Sequence, residues 1–167
     1  MGKVQILAVL TMDGCLSSEL YDKAHQDLCL DRCGLDEIRK KAFYRVTPDY
    51  SISMLHEWRK DGTNIRYLAE ATLDTADYIN GLLRMHAVDE IILYTVPFIS
   101  GSGRHFFKSA LPEQHWTLSS LKSYPNGVCR IIYILDKKQD SQNVRQAYIS
   151  IFRNRINVPI TNNLSRR

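Results

Sequence analysis

The apolar residues of this chain fall into short continuous runs. Residues 3–11 are almost entirely apolar, which predicts a strand buried on both faces of a sheet. Similar runs at residues 41–47, 64–69 and 90–98 predict three more strands. Such runs are typical of a sheet that helices cover on both sides, because neither face of the strands then meets water.

Helical signals lie between these runs. The serine pair at residues 17–18 predicts the start of a helix that continues to Arg32, and Gly34 predicts its end. Ser51 can cap a second helix that runs to residue 61, and Thr72 can cap a third that ends near His86. The second and third helices carry apolar stripes, at Ile52, Leu55 and Trp58 and at Leu73, Ala76, Ile79 and Leu83.

A hairpin follows the fourth strand. Residues 115–122 and 128–135 flank Tyr124-Pro125-Asn126-Gly127, and Asn-Gly between two strand-like runs is a strong hairpin signal. The element order therefore predicts an α/β fold over residues 1–135. We expect a single-domain mixed sheet with helices on both faces and a C-terminal β-hairpin.

Residues 136–167 are predicted to be a C-terminal extension, helical and then loose. Val144, Tyr148, Ile151 and Phe152 form an apolar stripe in a candidate helix over residues 139–157. An exposed apolar stripe commonly marks an interface, so we expect a homodimer.

Composition is that of one soluble globular domain. The 167 residues have a mass of 19.3 kDa, which suits a single domain. Hydrophobic residues make up 44% and charged residues 24% of the chain, and this composition excludes disordered and fibrous proteins. A formal net charge of +4 favours an anionic ligand. Much of the positive charge lies after residue 144 and not on a face shared with aromatic residues, so nucleic acid is not an expected partner.

Location and redox compartment follow from two further features. No apolar stretch approaches the roughly 20 residues that cross a bilayer, so we expect no membrane contact. The cysteines, at Cys15, Cys29, Cys33 and Cys129, contain no CxxC pair and no dense framework. This spacing suits free thiols in a reducing compartment, and we expect a cytoplasmic protein.

Two stretches carry a recognisable pattern. Within residues 87–107, Val-Asp-Glu is followed by an apolar run, a proline, a Gly-x-Gly pair and phenylalanine. Residues 8–14 contain the end of an apolar run followed by Thr-Met-Asp-Gly. Together they resemble the riboflavin-pathway pyrimidine reductases, meaning the C-terminal reductase domain of the RibD type, as a divergent member. The resemblance implies a dihydrofolate-reductase-like fold.

It also implies a function. The expected activity is NADPH-dependent reduction of a pyrimidine or pterin-like substrate, similar to 5-amino-6-(5-phosphoribosylamino)uracil reductase of riboflavin biosynthesis. A small, phosphorylated substrate is expected at Asp13 and Gly14, which follow the first strand. The expected NADPH-binding residues are Arg45, Thr47, Ala69, Glu70, Ala71, Thr72, Gly101 and Gly103. No catalytic side chain is assigned, since hydride transfer mainly needs cofactor and substrate held together.

The cofactor motifs depart from the family at two places. The family's Gly-Arg-x-Thr is Tyr44-Arg45-Val46-Thr47 here, and its Gly-Gly pair corresponds to Ala69-Glu70. Side chains there hinder close approach of the backbone to a pyrophosphate, and a carboxylate repels it. The alternative hypothesis is therefore a non-catalytic binding or regulatory protein that retains the reductase fold. Asp13 can equally belong to an ordinary Asp-Gly turn, and Glu70 can simply favour the start of a helix.

His25, Cys29 and Cys33 recur four residues apart, which would place them on one helix face. The set lacks a fourth ligand, and cysteine packs readily as a small apolar residue. We predict that these residues bind no metal.

Overall fold

The computed structural model describes residues 1–16, 28–61 and 64–136. The strands are β1 (Lys3–Leu10), β2 (Cys15–Leu16), β3 (Tyr44–Arg45), β4 (Arg66–Ala71), β5 (Glu90–Thr95), β6 (Arg104–His105), β7 (Trp116–Ser123) and β8 (Cys129–Leu135). A 3₁₀ turn spans Leu30–Cys33, and the α-helices are α1 (Leu35–Lys41), α2 (Ile52–Asp61) and α3 (Ala76–Arg84).

Six of these strands form one mixed sheet in the order β3-β4-β1-β5-β8-β7. β1 is parallel to both of its neighbours, and β3 is parallel to β4. β8 pairs antiparallel with β5 and with β7, which forms the predicted C-terminal hairpin. The carboxyl ends of β3, β4, β1 and β5 therefore share one edge of the sheet, called the carboxyl edge below.

Helices cover both faces of this sheet, as predicted. Ile6 of β1 packs on one side with Leu55 of α2 and Ile79 of α3. The next residue, Leu7, points to the opposite side and packs with Leu35 of α1. The continuous apolar run of β1 thus reflects two cores, one on each face.

The predicted strand at residues 41–47 is wrong in most of its length. Residues 35–41 form α1, with acidic residues in its first turn and basic residues in its last, an order that complements the helix dipole. Only Tyr44 and Arg45 are β-structure, and Phe43 and Tyr44 are exposed at the sheet edge.

The predicted boundary between the strand at residues 64–69 and a helix capped by Thr72 is also wrong. β4 continues to Ala71, because Ala69 and Ala71 lie opposite Ile6 and Ala8 of β1 and are buried in the core. Thr75, and not Thr72, is the N-cap residue of α3. Glu70 accordingly stands within a strand and does not begin a helix.

The predicted first helix lies largely outside the described residues, as does His25. Within its described part, Cys29 has a left-handed backbone (φ 47°) and precedes the 3₁₀ turn. Cys29 and Cys33 therefore do not share an α-helical face, and the absence of a metal stays a prediction. Gly34 (φ 82°) ends the 3₁₀ turn, as its sequence position predicted for the end of a helix.

A buried ion pair lies at the opposite, amino edge of the sheet. Asp89 accepts hydrogen bonds from the Arg59 guanidinium (2.6 Å) and from the Val4 N–H (2.9 Å). Both side chains are only 8% exposed. The pair joins α2 to the start of β1 and to the residue before β5.

Met1–Leu135 form one unit by their contacts. The candidate helix over residues 139–157 lies outside the described residues, so the extension and the homodimer stay predictions. In the part of the chain that the structure describes, no helix is long and apolar enough to cross a membrane.

Candidate functional site

The carboxyl edge of the sheet gathers most of the predicted site residues. Arg45 ends β3, Glu70 and Thr72 lie at the end of β4, and Asp13 follows β1. Ligands of open α/β sheets bind at this edge, because the loops there leave a crevice beyond the strands. Two clusters occupy it, a charged cleft beside β3 and β4, and a hydrogen-bonded cluster after β1.

The charged cleft has a volume of about 500 Å³. The last turn of α1 supplies Arg39 and Lys40, and the ends of β3 and β4 supply Arg45 and Glu70. Asp36 and Thr72 complete the lining. Three cations and two carboxylates thus face one open space.

Arg39 is the most constrained cation of the cleft. Its Nη2 lies 2.5 Å from Oε1 of Glu70, and its Nε donates to Oε2 at 3.3 Å. Its Nη1 lies 3.5 Å from Oδ1 of Asp36. Among the described residues no ion pair involves Lys40 or Arg45, so the cleft keeps a positive surplus.

The cluster after β1 centres on the Asp13 carboxylate. Oδ1 accepts hydrogen bonds from the Thr11 hydroxyl and from the Ser100 N–H (3.2 Å), and Oδ2 accepts one from the Gly101 N–H (3.0 Å). The bond from Thr11, followed by that from Gly101, holds the pKa of Asp13 well below its usual range. Asp13 is therefore ionised at neutral pH and fastens the loop after β5 to the turn after β1.

Cys15 lies beside this carboxylate. Its Sγ is 3.6 Å from Oδ2 of Asp13 and 3.7 Å from Nδ1 of His105. Burial, and then the charge of Asp13, raises the pKa of the Cys15 thiol. Cys15 is thus a neutral thiol at physiological pH and not an activated nucleophile.

The two glycines of the predicted phosphate-binding turn have other uses in the structure. The N–H of Gly101 (φ 69°) binds the carboxylate of Asp13, so the anion at this turn belongs to the protein itself. A Cβ on Gly103 would lie 2.5 Å from Cβ of Cys15, so glycine permits the close pairing of β2 and β6.

The structure brings together some predicted cofactor residues and separates others. Arg45, Glu70 and Thr72 line the cleft, whereas Ala69 and Ala71 are buried in the core. Thr47 donates to the Asp49 carboxylate (3.0 Å) and does not line the cleft. Gly14 lies in the turn with Asp13, where its N–H donates to the Thr11 carbonyl (2.9 Å).

Sequence reasoning missed the contribution of α1 to the cleft. Asp36, Arg39 and Lys40 line it, and the acidic-to-basic order of residues 35–41 was the signal that would have placed a helix there. It also missed Thr11, Cys15 and His105 around Asp13. His105 could not be foreseen, because it is 90 residues from Cys15, whereas Thr11 and Cys15 are each only two residues from Asp13.

Some solved structures of riboflavin-biosynthesis proteins have the same fold. The chain is 12% identical to a protein from Shewanella sp. PV-4 assigned to riboflavin biosynthesis, with a TM-score of 0.51 over 81% of this chain and 99% of that one. It is also 12% identical to RibD of Acinetobacter baumannii, with a TM-score of 0.51 over 82% of this chain and 59% of that one. No protein-family model and no curated protein sequence matches the chain. The likeness confirms the predicted dihydrofolate-reductase-like fold of RibD-type reductases.

Proposed function

We propose that this protein is an NADPH-dependent reductase of a small, phosphorylated pyrimidine or pterin-like substrate. In reaction class it would be similar to 5-amino-6-(5-phosphoribosylamino)uracil reductase of riboflavin biosynthesis. The observation that carries the proposal is the cationic cleft at the carboxyl edge of a fold shared with riboflavin-biosynthesis proteins. Cytoplasmic location and a homodimer belong to the same proposal.

The cleft fits the phosphates of NADPH in charge and position. Lys40 and Arg45 would bind them, with the Thr72 hydroxyl as a further donor. NADPH supplies the hydride, so the protein has only to hold cofactor and substrate face to face. The extra phosphate of NADPH relative to NADH adds two negative charges beside these cations, which is why we propose a preference for NADPH.

Asp13 and Gly14 are proposed to border the substrate, because they follow the central strand at the same edge. A carboxylate that stays ionised can accept hydrogen bonds from ring N–H groups of a pyrimidine or pterin. It is a poor proton donor at neutral pH, so we assign Asp13 a binding role and no acid–base role.

A second candidate function is a binding or regulatory protein without catalysis. The specific observation in its favour is that the protein's own carboxylates occupy both expected phosphate-binding positions. Glu70 pairs with Arg39 in the cleft, and Asp13 takes the N–H groups of Ser100 and Gly101. Such a protein would retain the reductase fold but would neither bind nor oxidise NADPH.

A titration with NADPH and NADH, followed by nucleotide fluorescence, separates the two functions. Saturable binding of NADPH, tighter than that of NADH, supports the reductase. Absence of binding up to millimolar NADPH, with a wild-type melting curve, supports the second candidate.

A further inference from the structure

We propose that Glu70 is an internal counter-ion of the cleft, which an anionic ligand must displace from Arg39 before it binds. Glu70 would thereby favour multiply charged phosphates and weaken the binding of all other anionic ligands. This inference rests on the proposed anion-binding role of the cleft and goes beyond it by assigning the residue that sets its affinity.

The geometry of the pair supports this role. Arg39 and Glu70 meet through two hydrogen bonds in a side-by-side arrangement, the same arrangement that a guanidinium makes with a phosphate. The two side chains are 18% and 23% exposed, so water screens their attraction only in part. Both face the same cavity as Lys40 and Arg45.

The surroundings explain why a ligand can compete for Arg39. A phosphate in the cleft would meet Lys40 and Arg45 in addition to Arg39, whereas the Glu70 carboxylate carries a single charge and its backbone is fixed within β4. A dianion or pyrophosphate therefore gains contacts that Glu70 does not replace. Asp36 can still contact Arg39 from α1 after Glu70 is displaced.

The expected size of the effect follows from the Arg39–Glu70 attraction that a ligand must break. Two opposite unit charges about 4 Å apart attract with an energy that corresponds to roughly fivefold in affinity in water and up to about a thousandfold at an effective dielectric near 20. The partly exposed Glu70 lies between these limits. Glu70→Gln, which keeps the shape of the side chain, is therefore expected to tighten anion binding by at least about tenfold at low salt.

The probe is inorganic pyrophosphate, measured by calorimetry at low and high salt on the full chain. Glu70→Gln is expected to bind it at least about tenfold more tightly than wild type, with a smaller gain at high salt. Adding Arg39→Gln to Glu70→Gln is expected to abolish the gain, because the released guanidinium is the group that the ligand uses. The matched control, Glu113→Gln, makes the same change of charge at a side chain that is 87% exposed and outside the lining of the cleft, and is expected to change affinity by less than about threefold.

Several outcomes would overturn the inference. These are an unchanged affinity in Glu70→Gln, an equal gain in Glu113→Gln, or a gain that survives Arg39→Gln. Absence of pyrophosphate binding in both wild type and Glu70→Gln, each with a wild-type melting temperature, would overturn it together with the anion-binding cleft. If Glu70→Gln binds pyrophosphate more tightly than wild type as expected, but no variant binds NADPH, the inference is supported and only the proposed reductase function is contradicted.

Discussion

Asp89→Ala is expected to be among the most destabilising substitutions in the described fold. It leaves the Arg59 guanidinium charged in a position where the side chain is only 8% exposed, and it removes the acceptor of the Val4 N–H. Breaking a buried ion pair from one side costs about 3–5 kcal/mol, because the remaining charge stays desolvated without a partner. For a domain of this size that corresponds to a fall in melting temperature of roughly 6–20 °C.

Urea unfolding followed by circular dichroism measures this cost. The matched control is Asp77→Asn, which breaks an exposed pair with Arg104, whose side chains are 65% and 39% exposed. Its midpoint is expected to remain close to that of wild type, since exposed pairs contribute little. If Asp89→Ala lowers the free energy of unfolding by less than about 1 kcal/mol, or if both variants lower it equally, the argument from burial is refuted.

A double variant separates the two contributions within the pair. In Asp89→Leu with Arg59→Met no buried charge remains, so this variant is expected to be more stable than Asp89→Ala. The Val4 N–H still lacks its acceptor, which keeps the double variant below wild type. A double variant that is less stable than Asp89→Ala would show that the cost does not come from the unpaired guanidinium.

Three further predictions concern the loops, the glycines and the extension. Because the folded-state pKa of Asp13 is lowered, its contacts stabilise the fold above the ordinary carboxyl pKa of about 3.9 and lose that effect as the pH falls below it. The melting temperature of Asp13→Asn should thus be well below that of wild type at neutral pH and closer to it at about pH 2.5. A difference in melting temperature that stays constant with pH would contradict this expectation. Gly103→Ala is expected to cost about 1–3 kcal/mol through its clash with Cys15. Gly81→Ala, inside α3, places a Cβ in ordinary contact with Ile52 at 3.7 Å and should stabilise by about 0.5–1 kcal/mol. Unfolding curves that rank the two variants in the opposite order would refute both expectations. Light scattering should give a dimer for the full chain and a monomer for a form ending at Leu135, and a monomeric full chain would refute the homodimer.

Much of the sheet could be predicted because its signal is local. The apolar run of β1 and the Asn126-Gly127 turn between β7 and β8 each lie within a few residues of the element that they define. The end of β4 could not, since it depends on packing against β1. Ala69 and Ala71 have low strand propensity, and their place in β4 comes from contact with β1.

The candidate site could be predicted only in part, for the same reason. Asp13 follows a strand that the sequence predicts, so the sequence alone places it at the carboxyl edge. The partners of the two carboxylates could not be foreseen, because Arg39 is 31 residues from Glu70 and Gly101 is 88 residues from Asp13. Tertiary structure alone shows that these expected ligand contacts are made within the protein.

The most direct test of the account is to locate bound NADPH by nuclear magnetic resonance. A titration of the ¹⁵N-labelled full chain is expected to shift the backbone signals of Lys40, Arg45 and Thr72 together, in a saturable manner. The amides of the amino edge, such as that of Val4, should stay in place. Saturable shifts confined to residues away from the carboxyl edge, or no shifts up to millimolar NADPH, would contradict the assignment of the cleft as the cofactor site.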